Sequence, residues 1–249
     1  MKIILSPTKK MKEDLEFLSP SALPEFLSRT EKILAFLRSK TPEELQKLWG
    51  CNDAIARQNI ERLEGMDLTS RLTPAIFAYE GNAFQHMAPT VFSEQELTYV
   101  QDHLRILSAF YGVLRPLDGI RSYRLEMQAP AAVDGFRDLY DFWGKDLYRA
   151  VRDDSGVILN LASKEYYQCI EKYLQENDRF ITCVFGELVG GKLKQKATFA
   201  KMARGEMVRF LAETQAEQPE DMQKFDRLGF RFCPERSSET EYVFLKESH

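Results

Sequence analysis

The sequence has no long apolar runs. Uninterrupted stretches are as short as Ile3-Ile4-Leu5, far below the ~20 residues a membrane-crossing helix needs. The polar Ser6-Pro7-Thr8-Lys9-Lys10 follows that stretch directly, so the apolar core of a secretory signal is missing and a cytoplasmic location is expected. Histidine is scarce, limited to His86, His103 and His249, and no H-x-x-x-H or H-E-x-x-H spacing occurs. The four cysteines, Cys51, Cys169, Cys183 and Cys233, form no C-x-x-C pair, so neither a zinc site nor a disulfide framework is expected. No metal or other cofactor is implied. A G-x-S-x-G elbow is also absent, which removes the usual setting of a hydrolase serine.

One phosphate-loop fragment is present. Gly186-Glu187-Leu188-Val189-Gly190-Gly191-Lys192 fits seven positions of G-x-x-x-x-G-K-[ST], but Leu193 stands where the Mg²⁺-holding hydroxyl belongs. Gly190-Gly191 between two β-prone stretches suits a tight hairpin, and that reading is preferred.

What remains is an ordinary globular composition. The chain has 249 residues, 44% hydrophobic and 29% charged, enough to bury a large core without staples. Net charge is −4, from 34 basic and 38 acidic residues, which argues against a protein coated in positive charge. The basic residues are nevertheless segregated. Residues 1 to 12 hold four and no acid, residues 105 to 124 hold four against one, and residues 192 to 209 hold six against one.

Periodicity predicts strands at Lys2 to Leu5, Ala75 to Tyr79, Leu104 to Phe110, Val157 to Leu161, Phe180 to Phe185, Lys192 to Lys196, Phe230 to Phe232 and Tyr242 to Leu245. Helices are expected at Leu23 to Leu37 with Ser21 as cap, Asp53 to Leu63, Leu139 to Val151, Lys164 to Leu174 and Ala200 to Glu213. Thr41-Pro42-Glu43-Glu44 and Ser93-Glu94-Gln95-Glu96 are capping boxes that open two more. Strands and helices interleave without a linker, which predicts one compact mixed α/β (α+β) domain over residues 1 to 249, a mixed sheet surrounded by helices.

Two features carry candidate chemistry. Leu45-x-x-Leu48-x-Gly50-Cys51-Asn52-x-x-x-Ala56-x-x-x-Ile60 is close to the helix-hairpin-helix pattern, in which the first N–H groups of the second helix can hold a backbone phosphate. Its alternative is an ordinary helical hairpin packing Leu45, Leu48, Ala56 and Ile60 into the core. On the helix from Ala200, Lys201, Arg204 and Arg209 fall within about 140° of arc, opposite Ala203, Met207 and Phe210. Such a row suits phosphate contacts, and a solvated surface face is the alternative.

A second class of function is an enzyme acting on a small anionic or nucleotide substrate. It is suggested by Ser6, Lys9, Asn160 and Ser163 at strand ends, with Lys201 to stabilise charge. Glu126 and Glu165 are available bases, and no reaction is named.

Five further strings set the chain beside a known family. Leu5-Ser6-Pro7-x-Lys9, Leu104-Arg105 through Arg115-Pro116-Leu117-Asp118, Tyr123-Arg124-Leu125-Glu126-Met127, Asn160-Leu161-Ala162-Ser163-x-Glu165-Tyr166 and Lys201-x-Ala203-Arg204-Gly205-x-Met207-x-Arg209-Phe210 resemble the YaaA family of bacterial peroxide-stress proteins. Leu139-Tyr140-x-Phe142-Trp143 continues the likeness. The resemblance implies a cytosolic α/β protein that limits iron-driven damage under hydrogen peroxide. It also implies a basic cleft and a helix-hairpin-helix element, here at about 42 to 64, that bind duplex and distorted DNA without sequence readout. Carried onto this chain, the expected DNA contacts are Lys9, Gly50, Asn52, Arg105, Arg115, Arg124, Lys201, Arg204 and Arg209, with Ser6, Asn160 and Ser163 as a possible ligand pocket.

Overall fold

A computed structural model describes residues 1–13 and 16–246. In chain order it runs β1 (Lys2–Leu5), β2 (Lys10–Met11), α1 (Leu27–Arg38), α2 (Pro42–Trp49), α3 (Asp53–Glu64), β3 (Thr73–Pro74), α4 (Ala75–Ala78), β4 (Tyr79–Glu80), α5 (Asn82–Met87) and α6 (Glu94–His103). The second half contributes β5 (Leu104–Ser108), β6 (Gly112–Leu114), β7 (Gly119–Ile120), α7 (Leu139–Trp143), α8 (Asp146–Val151), β8 (Val157–Leu161), α9 (Lys164–Glu171), β9 (Arg179–Val189), β10 (Lys192–Lys194), α10 (Ala197–Thr214), β11 (Phe230–Phe232) and β12 (Glu241–Lys246).

Eight strands form one mixed sheet in the order β11-β12-β9-β8-β1-β5-β6, with β10 paired to β9. Its middle five strands are parallel: β12 on β9, β9 on β8, β8 on β1 and β1 on β5. Parallel strands covered on both faces read as continuous apolar runs, and Ile3, Ile4, Leu5, Ile158, Leu159 and Leu161 are all fully buried. The pairs β5–β6, β9–β10 and β11–β12 are antiparallel.

Both capping boxes form. The Thr41 hydroxyl accepts from the Glu44 N–H while the Glu44 carboxylate accepts from the Thr41 N–H, and Ser93 and Glu96 repeat the exchange. The Gly190-Gly191 hairpin also forms, with φ of 58° and 76°.

Three expectations are corrected. Ala75–Ala78 is a helical turn, not a strand, because the Ala75 and Ile76 N–H groups are taken by the Asp118 and Pro116 carbonyls. All four of its residues are buried, and a run buried on every side loses the alternation that marks a strand. The first helix starts at Leu27, not Leu23, and Ser21 does not cap it: its N–H and hydroxyl both donate to the Leu117 carbonyl. Leu139 to Val151 is two helices, broken where Gly144 takes φ 52°, a left-handed geometry that glycine enters without penalty.

A candidate ligand-binding site at the carboxyl ends of β1 and β8

The chain leaves β1 towards β5 on one side and leaves β8 towards β9 on the other. Where neighbouring parallel strands send their connections in opposite directions, a crevice opens beyond their carboxyl ends. Leu5 and Leu161 are paired across β1 and β8, so the residues that follow them meet. The Ser163 N–H donates to Ser6 Oγ at 2.8 Å, and the two hydroxyls lie 3.1 Å apart. Ser163 holds the N-cap position of α9, but its hydroxyl caps nothing.

A cavity of about 430 Å³ opens over this point. Leu5, Leu161, Leu125, Tyr123 and Tyr166 give it an apolar floor, and all five are buried. The Tyr123 hydroxyl is held between Tyr79 Oη at 2.9 Å and Ser108 Oγ at 2.7 Å, and burial pushes its pKa up to about 12. Its walls carry five cations, Lys9, Lys10, Arg124, Lys201 and Arg204, and three carboxylates, Glu80, Glu126 and Glu165.

Those charges do not cancel. Lys9 pairs with Glu126 at 2.8 Å and Lys10 with Glu80 at 3.1 Å. The second pair is set by the register of the small β2–β4 sheet, which places Lys10 opposite Glu80. Arg124, Lys201 and Arg204 have no ion-pair partner among the described residues. Four buried side-chain nitrogens or oxygens among those residues lack any hydrogen-bond partner, and two of them are the Nε atoms of Arg124 and Arg204. Burial lowers the Arg204 pKa, and no carboxylate stands near enough to oppose it. A guanidinium nonetheless stays charged at any accessible pH.

Glu165 is the carboxylate without a cation. Its Oε1 accepts from the Met127 N–H at 3.0 Å and the Gln128 N–H at 3.4 Å. Burial raises its pKa above the ordinary carboxylate value and Glu126 adds to the rise, while those two N–H groups and Lys9 oppose it.

The structure thus brings Ser6, Lys9, Arg124, Ser163, Lys201 and Arg204 into one cavity lining. Asn160 does not line it: the side chain is fully buried, donating to Thr182 Oγ1 and accepting from the Ala162 N–H, so it shapes the turn that delivers Ser163. Arg105 and Arg115 lie elsewhere, in a second cavity of about 340 Å³ with Glu25 and Asp118. Arg209 pairs with Glu213 at 2.7 Å. Gly50, in left-handed geometry at φ 54°, and Asn52, the N-cap of α3, form the exposed turn of the α2–α3 hairpin. There the Ile55 N–H already donates to Asn52 Oδ1.

Gly81, Asn82 and Thr8 also line the cavity, and sequence reasoning did not find them. They arrive through the two-residue β2–β4 pairing, which has no periodicity to read. Among the described residues no group of three or more His, Cys, Asp or Glu side chains is placed to hold a metal ion, and no helix is long and apolar enough to cross a membrane.

Fold and site together define a mixed α/β protein whose charge-walled pocket sits at the switch point of its sheet. Four of the six strings that carry the family likeness supply that pocket from distant stretches of chain. A family model described as peroxide stress protein YaaA matches residues 1–236. The chain is 57% identical to a UPF0246 protein of Agathobacter rectalis over 99% of both chains. It is 50% identical to one of Lachnoclostridium phytofermentans, covering 99% of this chain and 96% of the relative. For a third, from Pediococcus pentosaceus, the identity is 48% over 99% and 98%. The chain belongs to the YaaA/UPF0246 family of peroxide stress proteins.

Proposed function

We propose that this peroxide stress protein acts by binding a small phosphate-bearing ligand, of nucleotide size, in the cavity beyond β1 and β8. The observation that carries this reading is that Arg124, Lys201 and Arg204, which have no ion-pair partner among the described residues, share one cavity lining. A buried donor left without an acceptor costs about 1–3 kcal/mol, and arginine forks match phosphate oxygens in pairs. An anion bound among these cations balances the positive excess. The volume falls within the ~300–1,000 Å³ range of small-molecule pockets. A duplex covers on the order of 1,000 Å² or more of protein, so a polymer would present only an end or a single extruded nucleotide here. Ser6, Ser163 and Glu165 beside the cations support an enzyme acting on such a ligand.

Calorimetric titration with inorganic phosphate and with adenosine monophosphate tests the reading. Both are expected to bind wild type, and Arg204→Met is expected to weaken both at least about tenfold with thermal stability kept or raised, since the orphaned donor is gone. Equal binding by the variant overturns it.

A second reading, DNA held by its backbone, draws on the exposed α2–α3 turn at Gly50 and on the exposed Lys47 and Arg57 beside it. Duplex binding with a log–log salt slope of roughly −0.9 per contacted phosphate, lost in Gly50→Val and kept in Arg204→Met, would favour it. Asn52 Oδ1 and the Asp53 carboxylate stand at the start of α3, where a phosphate would sit, so the cavity is preferred.

A further inference from the structure

Resting on the reading of the cavity as a phosphate site, we infer that Glu165 determines which phosphate compound is taken: an organic phosphate that carries a hydroxyl or amino donor, in preference to inorganic phosphate. Of the three carboxylates in the cavity, Glu126 and Glu80 are occupied by Lys9 and Lys10. Glu165 alone of the three has no ion pair among the described residues. The unpaired charges of the site are therefore three positive and one negative, a bipolar arrangement.

The negative member is held in place. Glu165 Oε1 is committed to the Met127 and Gln128 N–H groups, while Oε2 has no hydrogen-bond partner among the described residues. The main chain behind it is also fixed, because the Tyr140 hydroxyl donates to the Glu165 carbonyl at 3.0 Å. A half-buried carboxylate oxygen facing a polar cavity gains most from an O–H or N–H donor on the ligand, a charge-assisted hydrogen bond. Inorganic phosphate keeps a single P–O–H as the dianion and can donate it only by bringing its own negative charge against the carboxylate, whereas a hydroxyl or amino group elsewhere on an organic phosphate donates from a distance. The volume of about 430 Å³ leaves room for such a second moiety next to the phosphate. Burial raises the Glu165 pKa, so the free site already bears the cost of a carboxylate waiting for a donor.

The test compares inorganic phosphate with ribose 5-phosphate on the full chain, wild type against Glu165→Gln. Glutamine keeps an oxygen for the Met127 N–H and removes the charge. Wild type is expected to prefer ribose 5-phosphate, and the variant to lose about tenfold of its affinity for it. The same variant should bind inorganic phosphate unchanged or more tightly, because a like charge has gone. Opposite movement of the two ligands is what a merely structural role would not produce. Parallel changes, no change, or a wild type that binds both compounds equally overturns the inference and leaves the phosphate site standing. If neither compound binds wild type, the phosphate reading itself fails and Glu165 falls with it.

Discussion

Asp118 shows how a single side chain couples a turn to pH. Its carboxylate accepts from the Arg115 N–H at 2.8 Å while its main chain ties down Ala75 and bridges to Ala22. Burial pushes its pKa up to about 6, against the opposing pull of that N–H, Arg115 and Arg105. A carboxyl group raised in the folded state stabilises the fold while protonated. That contribution is fully present below the unfolded value near 4 and is lost as pH rises through about 6, at about 1.4 kcal/mol per unit. Chemical denaturation between pH 4 and 7 should therefore show Asp118→Asn losing less stability with rising pH than wild type. Parallel curves for the two proteins would show that Asp118 is not the source. At the same scale, Arg204 illustrates what spacing conceals. Helical periodicity places it on a basic face with Lys201 and Arg209, yet Lys201 is exposed, Arg209 is tied to Glu213, and Arg204 is half-buried in the cavity lining with its Nε shut away from solvent.

At the scale of elements, α10 and α5 make the tightest approach to the site. Gly205 of α10 faces the backbone of Ala83, and a Cβ there would stand 1.9 Å from the Ala83 carbonyl oxygen. Ala83 and its neighbour Asn82 line the same cavity as Lys201 and Arg204. Gly205→Ala must push the helices apart, with an expected cost of about 1–3 kcal/mol in chemical denaturation and a clear loss of phosphate affinity. Unchanged stability would mean that α5 moves freely and does not wall the site. The reason for glycine mid-helix is invisible locally, since its propensity there is poor. The capping boxes of α2 and α6, by contrast, were readable because both partners lie within four residues. The strand predicted at Ala75 failed because hydrogen bonds to Pro116 and Asp118, some 40 residues away, decide its geometry.

At the scale of the molecule, the last strand completes the sheet from outside the family match. The family model ends at residue 236, whereas β12 (Glu241–Lys246) lies between β9 and β11, with Tyr242, Val243 and Phe244 buried. Phe244 stacks on Phe185 with ring centroids 5.1 Å apart. Ending the chain after residue 240 should expose the β9 edge and the Phe185 cluster, an unprotected edge that invites aggregation. The truncated chain is expected to be insoluble or to unfold at least about 10 °C lower by calorimetry, since a loss of several kcal/mol is expected and each kcal/mol shifts Tm by about 2–4 °C at this size. A soluble chain melting with wild type would show that β12 is dispensable.

The amino-acid sequence by itself determined the mixed α/β class, the longer helices, every strand of the large sheet but β6, two capped helix starts, the Gly190-Gly191 hairpin and the family. Each of these rests on periodicity, capping or turn chemistry within a few residues, or on strings of motif. Tertiary structure decided that Ser6, Lys9, Arg124, Ser163, Lys201 and Arg204 share one cavity, that Arg105, Arg115 and Arg209 stay out of it, and that Asn160 turns inward. Those outcomes depend on strand order, on the opposed connections leaving β1 and β8, and on which carboxylate reaches which cation across more than a hundred residues of chain. No local pattern encodes such pairings, because Coulombic and packing energies act on distance in space and not on separation along the chain.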